Sequence, residues 1–285
     1  MERNLNHIAE IIGERIKAFR PVTGGDISRA FLLETSQNRY FLKINNHREA
    51  LVMFQAEKLG LETIYKTKTI EVPEVFYCGS FEKDSLLLLQ YIESKSPEKQ
   101  DFERLGTKLA ALHNISHTSF GFTSDNYIGR LFQSNKPHLN WEDFYSHERI
   151  LPQLTLAKTK GLLSNNEIPE ITGLLKVLKD MFCNVKPSLL HGDLWSGNFI
   201  IATDGQPFLI DPAIYFGHHE VDIAMSKLFG GFDTSFYNAY QDYYPVDENS
   251  TASIDLYQLY YLLVHLNMFG SSYYGSVKSI LSRYF

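Results

Sequence analysis

His191-Gly192-Asp193-Leu194-Trp195-Ser196-Gly197-Asn198, followed by a short β-like pair and then Asp211-Pro212, is the stretch on which the reading turns. Residues 198–202 and 207–210 flank Asp204-Gly205, the pattern of a tight hairpin. An aspartate can orient a hydroxyl and take its proton. An amide and a second carboxylate are the oxygen ligands that a polyphosphate-bound magnesium ion uses. Asp193 therefore reads as the catalytic carboxylate, with Asn198 and Asp211 as the metal ligands. A polar turn between strands would explain any one of these residues. It does not explain a histidine, two aspartates and an asparagine at these offsets.

The layout is the HxDxxxxN catalytic loop of kinases with a downstream metal-binding aspartate. Asp211-Pro212 stands where protein kinases begin DFG, as in phosphotransferases acting on small molecules such as aminoglycosides and choline. ATP and Mg2+ are the expected cofactors. Upstream, Tyr40-Phe41-Leu42-Lys43-Ile44 alternates as a strand and puts Lys43 beside Phe41 on one face. A lysine there either holds the α- and β-phosphates or reaches solvent from an edge strand. Glu57 shares the apolar face of the helix pattern over 47–66 and reads as its partner, with Glu49 as the rival. Gly24-Gly25, with Ile27, reads either as a turn whose N–H groups approach the phosphates or as an ordinary hairpin turn. Gln90, Tyr91 and Ile92 end a hydrophobic strand and fit an adenine-holding hinge, or a plain linker.

Trp195, close behind Asp193, reads as a platform for a sugar or amine, with burial in the core as the alternative. His218 and Glu220, with His219 and Asp222, either line the acceptor site or charge the start of the next helix. Tyr257, Tyr260 and Tyr261 read as packing.

The chain has 285 residues, 44% of them hydrophobic and 21% charged, enough for two lobes with real cores. Its net charge of −6, without a Lys/Arg block, argues against nucleic acid as a partner. Two cysteines far apart and scattered histidines suggest neither a disulfide framework nor a metal cage. No apolar run is long enough for a membrane span, and residues 1–17 carry too many charges for a signal peptide. A cytoplasmic location is the expectation.

Character changes near Ser94. Before it the sequence predicts a helix over 4–19 ended by Pro21, strands over 27–35, 40–45, 74–80 and 85–91, and the helix over 47–66. Beyond it Ser96-Pro97 predicts a helix start, with more helices over 141–160, 167–183, 219–229, 234–243 and 251–269. The expected fold is α+β and protein-kinase-like. Residues 1–93 would form a nucleotide-binding lobe with an antiparallel sheet and one crossing helix. Residues 94–285 would form a mostly helical catalytic and substrate-binding lobe, with ATP in the cleft between them.

Several further stretches carry a resemblance. They are Gly24-Gly25-Asp26-Ile27-Ser28, Phe41-Leu42-Lys43, Met53-Phe54-Gln55-Ala56-Glu57, Phe120-Gly121-Phe122 and Asn126-Tyr127-Ile128-Gly129. Trp141-Glu142-Asp143-Phe144-Tyr145 with Arg149 and Gln153, Asp211-Pro212-Ala213, Tyr215, Gly217-His218 and Phe229-Gly230-Gly231-Phe232 complete the set. With the loop 191–198 they resemble the fructosamine/ketosamine-3-kinase family over nearly the whole chain. The resemblance implies transfer of the ATP γ-phosphoryl group to the carbon-3 hydroxyl of a fructosamine or ribulosamine. The product then decomposes and releases the amine, which is deglycation. Asp26 departs from relatives that carry cysteine in the loop, so thiol control there is not expected. The same fold serves choline, aminoglycosides and free sugars, and an inactive nucleotide-binding module is a further alternative. The sequence leaves the acceptor open between free and protein-bound forms, and the oligomer between monomer and dimer.

Overall fold

Phe31, Leu33, Tyr40, Leu42, Ile44, Leu86 and Leu88 share one face of their strands, and this period of two builds the first layer of the fold. The computed structural model describes residues 1–22, 28–182, 184–246 and 250–285. Strands β1 (Ala18–Val22), β2 (Arg29–Glu34), β3 (Arg39–Asn45), β4 (Val75–Phe81) and β5 (Asp84–Gln90) form an antiparallel sheet in the order β1-β2-β3-β5-β4. Helix α1 (Glu2–Ile12) buries Ile8 against the face just named. Its Asn4 amide donates to Asp84 Oδ2 at 2.7 Å. Helix α2 (Ala50–Thr67) packs on β4 and β5.

The N-terminal expectation fails in one place. The helix predicted over 4–19 stops at Gly13, which takes φ 67° and turns the chain out of the helix. Residues 18–22 then run as edge strand β1, where Pro21 is tolerated.

Two compact units divide the chain: Met1–Pro97 with Ile200–Asp211, and Glu98–Phe199 with Pro212–Phe285. The second unit begins with α3 (Lys99–His113). Its N-cap is Glu98, in a reciprocal capping box with Asp101, so the cap falls beyond the predicted Ser96. A small hairpin follows, β6 (Asn126–Ile128) with β7 (Leu131–Gln133). The predicted helix 141–160 is α4 (Trp141–Phe144), a π-helical stretch Tyr145–Ile150 and α5 (Leu151–Thr159). Pro152, at the start of α5, cannot donate its backbone bond, and the widened turn before it absorbs the mismatch. Arg149 lies in that turn, fully buried, its guanidinium 4.0 Å from the Tyr215 ring centroid.

Next come α6 (Ile171–Met181), β8 (Ser188–Leu190) and a hairpin of β9 (Phe199–Ile201) with β10 (Pro207–Leu209). Residues 200–211 belong to the first unit rather than to the 94–285 lobe of the sequence reading. Backbone pairing explains this. Leu209 N–H donates to Glu71 O at 2.9 Å, Lys95 N–H to Ile201 O at 2.9 Å, and Thr203 N–H to Glu93 O at 3.1 Å. Strand β11 (Tyr215–Gly217) pairs with β8. Helices α7 (Glu220–Leu228), α8 (Thr234–Gln241), α9 (Ser250–Phe269) and α10 (Tyr274–Tyr284) complete the second unit. Its aromatic core includes Trp141, Phe144, Tyr145, Tyr257, Tyr260 and Tyr261. No helix among the described residues is long and apolar enough to cross a membrane.

Candidate active site

In the first unit the site starts from Lys43. Strand β3 is the central strand, with Lys43 opposite Ala30 of β2 and Leu87 of β5, so its side chain leaves an interior strand rather than an edge. The side chain is 8% exposed and needs a charge partner. It has two. Nζ lies 2.8 Å from Glu57 Oε1 and also donates to Asp211 Oδ1. Glu49 stands exposed at the N-cap of α2, so Glu57 rather than Glu49 is the partner. Burial acts against the ammonium, but the charges of Asp211 and Glu57 outweigh it and hold the Lys43 pKa above its ordinary value. Burial and the neighbouring Asp211 charge push the Glu57 carboxyl upward, against the pull of Lys43. Asp211 itself takes φ 54°, a left-handed conformation uncommon outside glycine and best tolerated by Asp and Asn.

Of the remaining nucleotide candidates, Gly24, Gly25 and Ile27 lie outside the described residues. Gln90 ends β5, where its N–H donates to Glu74 O at 2.8 Å. Tyr91 lies under the Arg39 guanidinium at 5.1 Å, and Ile92 is buried.

In the second unit the loop after β8 is held through its backbone. His191 N–H and Gly192 N–H donate to the two carboxylate oxygens of Asp222 at 2.7 and 2.9 Å. His191 C=O accepts from Ala213 N–H at 2.9 Å. Gly192 C=O accepts from the Tyr261 hydroxyl at 2.9 Å. Gly192 has φ 85°, and a Cβ there would sit 2.1 Å from Ala213 O, so only glycine fits. Asn198 Nδ2 then bridges Asp193 O at 2.8 Å and Asp193 Oδ2 at 3.1 Å. The amide is thereby fixed with Oδ1 as its remaining polar atom. Asp193 is half-buried and Asn198 buried.

Trp195 is 39% exposed, which removes the core alternative. Its ring lies over Gly197, where a Cβ would come within 2.3 Å of the indole. His218 and Glu220 sit in a polar network. His218 Nδ1 meets Tyr257 Oη at 2.6 Å, and Tyr257 Oη accepts from Trp141 Nε1 at 3.0 Å. Glu220 Oε2 accepts from Ser253 Oγ at 2.6 Å and lies 3.7 Å from His218 Nδ1.

Sequence reasoning missed the groups that hold the loop. Asp222, read as lining the acceptor site or charging a helix start, does lie in the first turn of α7, but it is fully buried and turned to the loop. Burial pushes its carboxyl up. The hydrogen bond from His113, the charges of His113 and His191 and the Gly192 N–H outweigh that and bring it below the usual range. His113 Nε2 meets Asp222 Oδ2 at 3.1 Å and its Nδ1 meets Tyr240 Oη at 2.7 Å, while Tyr240 Oη also meets His219 Nδ1 at 3.0 Å. One hydroxyl proton and one carboxylate fix the directions when the histidines are neutral. His219 donates to Tyr240, Tyr240 to His113, and His113 to Asp222. The available signal was a carboxylate inside the buried run Val221, Ile223, Ala224, Met225.

The five-stranded sheet with its lysine, and the loop carrying Asp193 and Asn198 in a helical unit, make this a protein-kinase-like fold. A family profile described as fructosamine kinase matches residues 1–285. A protein of Lactiplantibacillus plantarum named "probable ketoamine kinase" is 40% identical over 272 residues, covering 94% of this chain and 95% of that one. The chloroplastic protein-ribulosamine 3-kinase of Arabidopsis thaliana is 39% identical over 268 residues, covering 92% of this chain and 81% of that one. A crystal structure from Haemophilus somnus 129PT, described provisionally as a fructosamine-3-kinase, superposes with a TM-score of 0.88 at 32% identity. It covers 99% of this chain and 96% of that one. The chain belongs to the fructosamine kinase family.

Proposed function

We propose that this protein is an ATP-dependent phosphotransferase that phosphorylates the carbon-3 hydroxyl of ketosamines, fructosamines or ribulosamines, and so starts their deglycation. The observation that carries the reading is Lys43, buried on the central strand and bonded to both Glu57 and Asp211. Such an ammonium is costly unless paired, and phosphoryl transfer supplies its use. The ketoamine and ribulosamine names of the relatives support the acceptor class.

In this mechanism Lys43, oriented by Glu57, binds the nucleotide phosphates. Gly24, Gly25 and Ile27 remain the phosphate-binding candidates by sequence, and Gln90, Tyr91 and Ile92 border the adenine. Asp193 accepts the proton of the acceptor hydroxyl as its oxygen bonds to the γ-phosphorus and the bond to the ADP oxygen breaks. Asn198 restrains that carboxylate through its 3.1 Å hydrogen bond. Asn198 Oδ1 and the Asp211 carboxylate are hard oxygen donors and suit Mg2+, which when bound neutralises phosphate charge. Trp195 offers an exposed indole face to the sugar or its cationic amine. His218 and Glu220, 15% and 17% exposed, border the acceptor.

Replacing Asp193 by Asn lowers turnover by roughly 10²–10⁴ while the protein stays folded. The assay is ATP consumption with a fructosamine, a ribulosamine, choline and kanamycin as separate acceptors. Near-normal turnover by the folded variant would remove the role of Asp193. Preference for choline or kanamycin would replace the acceptor.

A further inference from the structure

The main chain leading into Asp193 is gripped by two buried side chains, one on its N–H groups and one on a carbonyl. Asp222 of α7 takes the N–H groups of His191 and Gly192. From α9, Tyr261 donates to the carbonyl of the same Gly192 at 2.9 Å. With the Ala213 bond to His191 C=O, the four backbone polar groups of residues 191 and 192 all have partners. The Gly192 carbonyl belongs to the peptide unit whose nitrogen is that of Asp193. Turning that peptide turns the Cα–Cβ bond of the carboxylate.

We propose that Tyr261 is a positioning residue for the phosphoryl-transfer reaction: its hydroxyl fixes the Gly192–Asp193 peptide and thereby the direction of the Asp193 carboxylate. This rests on the function proposed above. Tyr261 is fully buried, and its hydroxyl reaches across 69 residues to a buried glycine. Burial, with the charges of Asp222 and Asp193 and the neighbouring tyrosines, raises its pKa well above the ordinary value, so the hydroxyl stays a donor. Without it the Gly192 carbonyl loses its hydrogen bond, and the Gly192–Asp193 peptide is held more loosely, through the Asp193 N–H that meets His191 Nδ1 at 3.3 Å, while Asp222 still holds the preceding N–H groups.

Tyr261→Phe removes one oxygen and keeps the ring. The matched control is Tyr145→Phe, whose hydroxyl donates to Leu256 O at 2.9 Å in the same core, away from the loop. Each loses about one buried hydrogen bond, a small part of what holds a domain together, so both fold. Kinetics with a ribulosamine and ATP are measured below the melting temperature of each variant, with amide hydrogen exchange over residues 189–198. Tyr261→Phe is expected to lower kcat about tenfold with both KM values within about twofold, and to speed exchange in the loop. Tyr145→Phe is expected to keep kcat and loop exchange while losing similar stability. In the Asp193→Asn background, Tyr261→Phe is expected to cost little more. Unchanged kcat and exchange in Tyr261→Phe overturn the inference, as does an equal kcat loss in Tyr145→Phe. A wild-type protein inactive on every ketosamine overturns the proposed function instead, and the exchange comparison then still decides whether Tyr261 fixes the loop.

Discussion

Asp222→Asn tests the loop support directly, because the substitution keeps shape and exchanges one oxygen for an amino group. The carboxylate is fully buried and accepts three hydrogen bonds: His191 N–H and His113 Nε2 on Oδ2, Gly192 N–H on Oδ1. With the amino group in the Oδ1 place, the Gly192 N–H faces a donor. With it in the Oδ2 place, the His191 N–H and the imidazole do. At least one buried N–H is orphaned, about 1–3 kcal/mol, and the bonds that survive lose their charge assistance, about 1–2 kcal/mol. Relief of carboxylate burial offsets part of this, so the net loss is about 2–4 kcal/mol. For a protein of this size that lowers the melting temperature by roughly 4–15 °C. Turnover falls about 10–100-fold, because the chain just before Asp193 loses an anchor. Urea denaturation near neutral pH and steady-state kinetics read the two effects. The carboxyl is depressed below its ordinary 3.8. Its stabilisation is therefore complete above that value and is lost only as pH falls through the lower folded value, so neutral pH reads all of it. A variant within about 0.5 kcal/mol of wild type and within about twofold in kcat would refute this reasoning.

Two further outcomes follow from the same unit. Trp195→Ala is expected to raise the acceptor KM about 3–10-fold and to leave the ATP KM within about twofold, from the loss of one aromatic contact; an unchanged acceptor KM would show that the indole carries no substrate contact. His219 is pushed down to about 2 by burial, with the charges of His218 and His113 adding to it. Below a pH of about 6.5 the unfolded chain binds a proton that the folded chain refuses, so stability falls by up to ~1.4 kcal/mol per pH unit. His219→Gln is expected to flatten that acid limb, read as the difference in urea midpoint between pH 7 and 5; equal slopes in the two proteins would contradict it.

Legibility in the sequence followed locality. Asp193 and Asn198 lie in one loop, and the hairpin to Asp211 is a short-range pattern, so spacing alone suggested their chemistry. Helical periodicity placed Glu57 on the apolar face but Glu49 on much the same one, and it is the structure that separates them by bonding Glu57 to Lys43. Strand β1 was missed because helical spacing in Leu5, Ile8, Ile12 and Ile16 ran past Gly13, whose left-handed turn left only one glycine as a signal. The hairpin 200–211 was assigned by its place along the chain, whereas hydrogen bonds to Glu71, Glu93 and Lys95 decide which unit it joins. Tyr261 looked like one more aromatic residue on a buried helix, and only the packed unit brings its hydroxyl to a carbonyl 69 residues away.

The same contrast bears on how a catalytic carboxylate can be both reachable and rigid. A base must meet its acceptor, and Asp193 is accordingly half-buried. A half-buried side chain cannot be fixed by packing on every side. Here rigidity enters through the main chain: Asp222 and Tyr261, both fully buried, hold the residues before it, and Asn198, nearly buried, holds its own carbonyl and one carboxylate oxygen. His113, Tyr240 and His219 form a hydrogen-bonded chain behind Asp222. Polar groups of this kind are costly when unsatisfied, so the chain stays in the aromatic interior only because its hydrogen bonds are completed. A substitution that packs well but donates nothing, such as phenylalanine for Tyr240 or Tyr261, therefore acts on the loop rather than on the core volume.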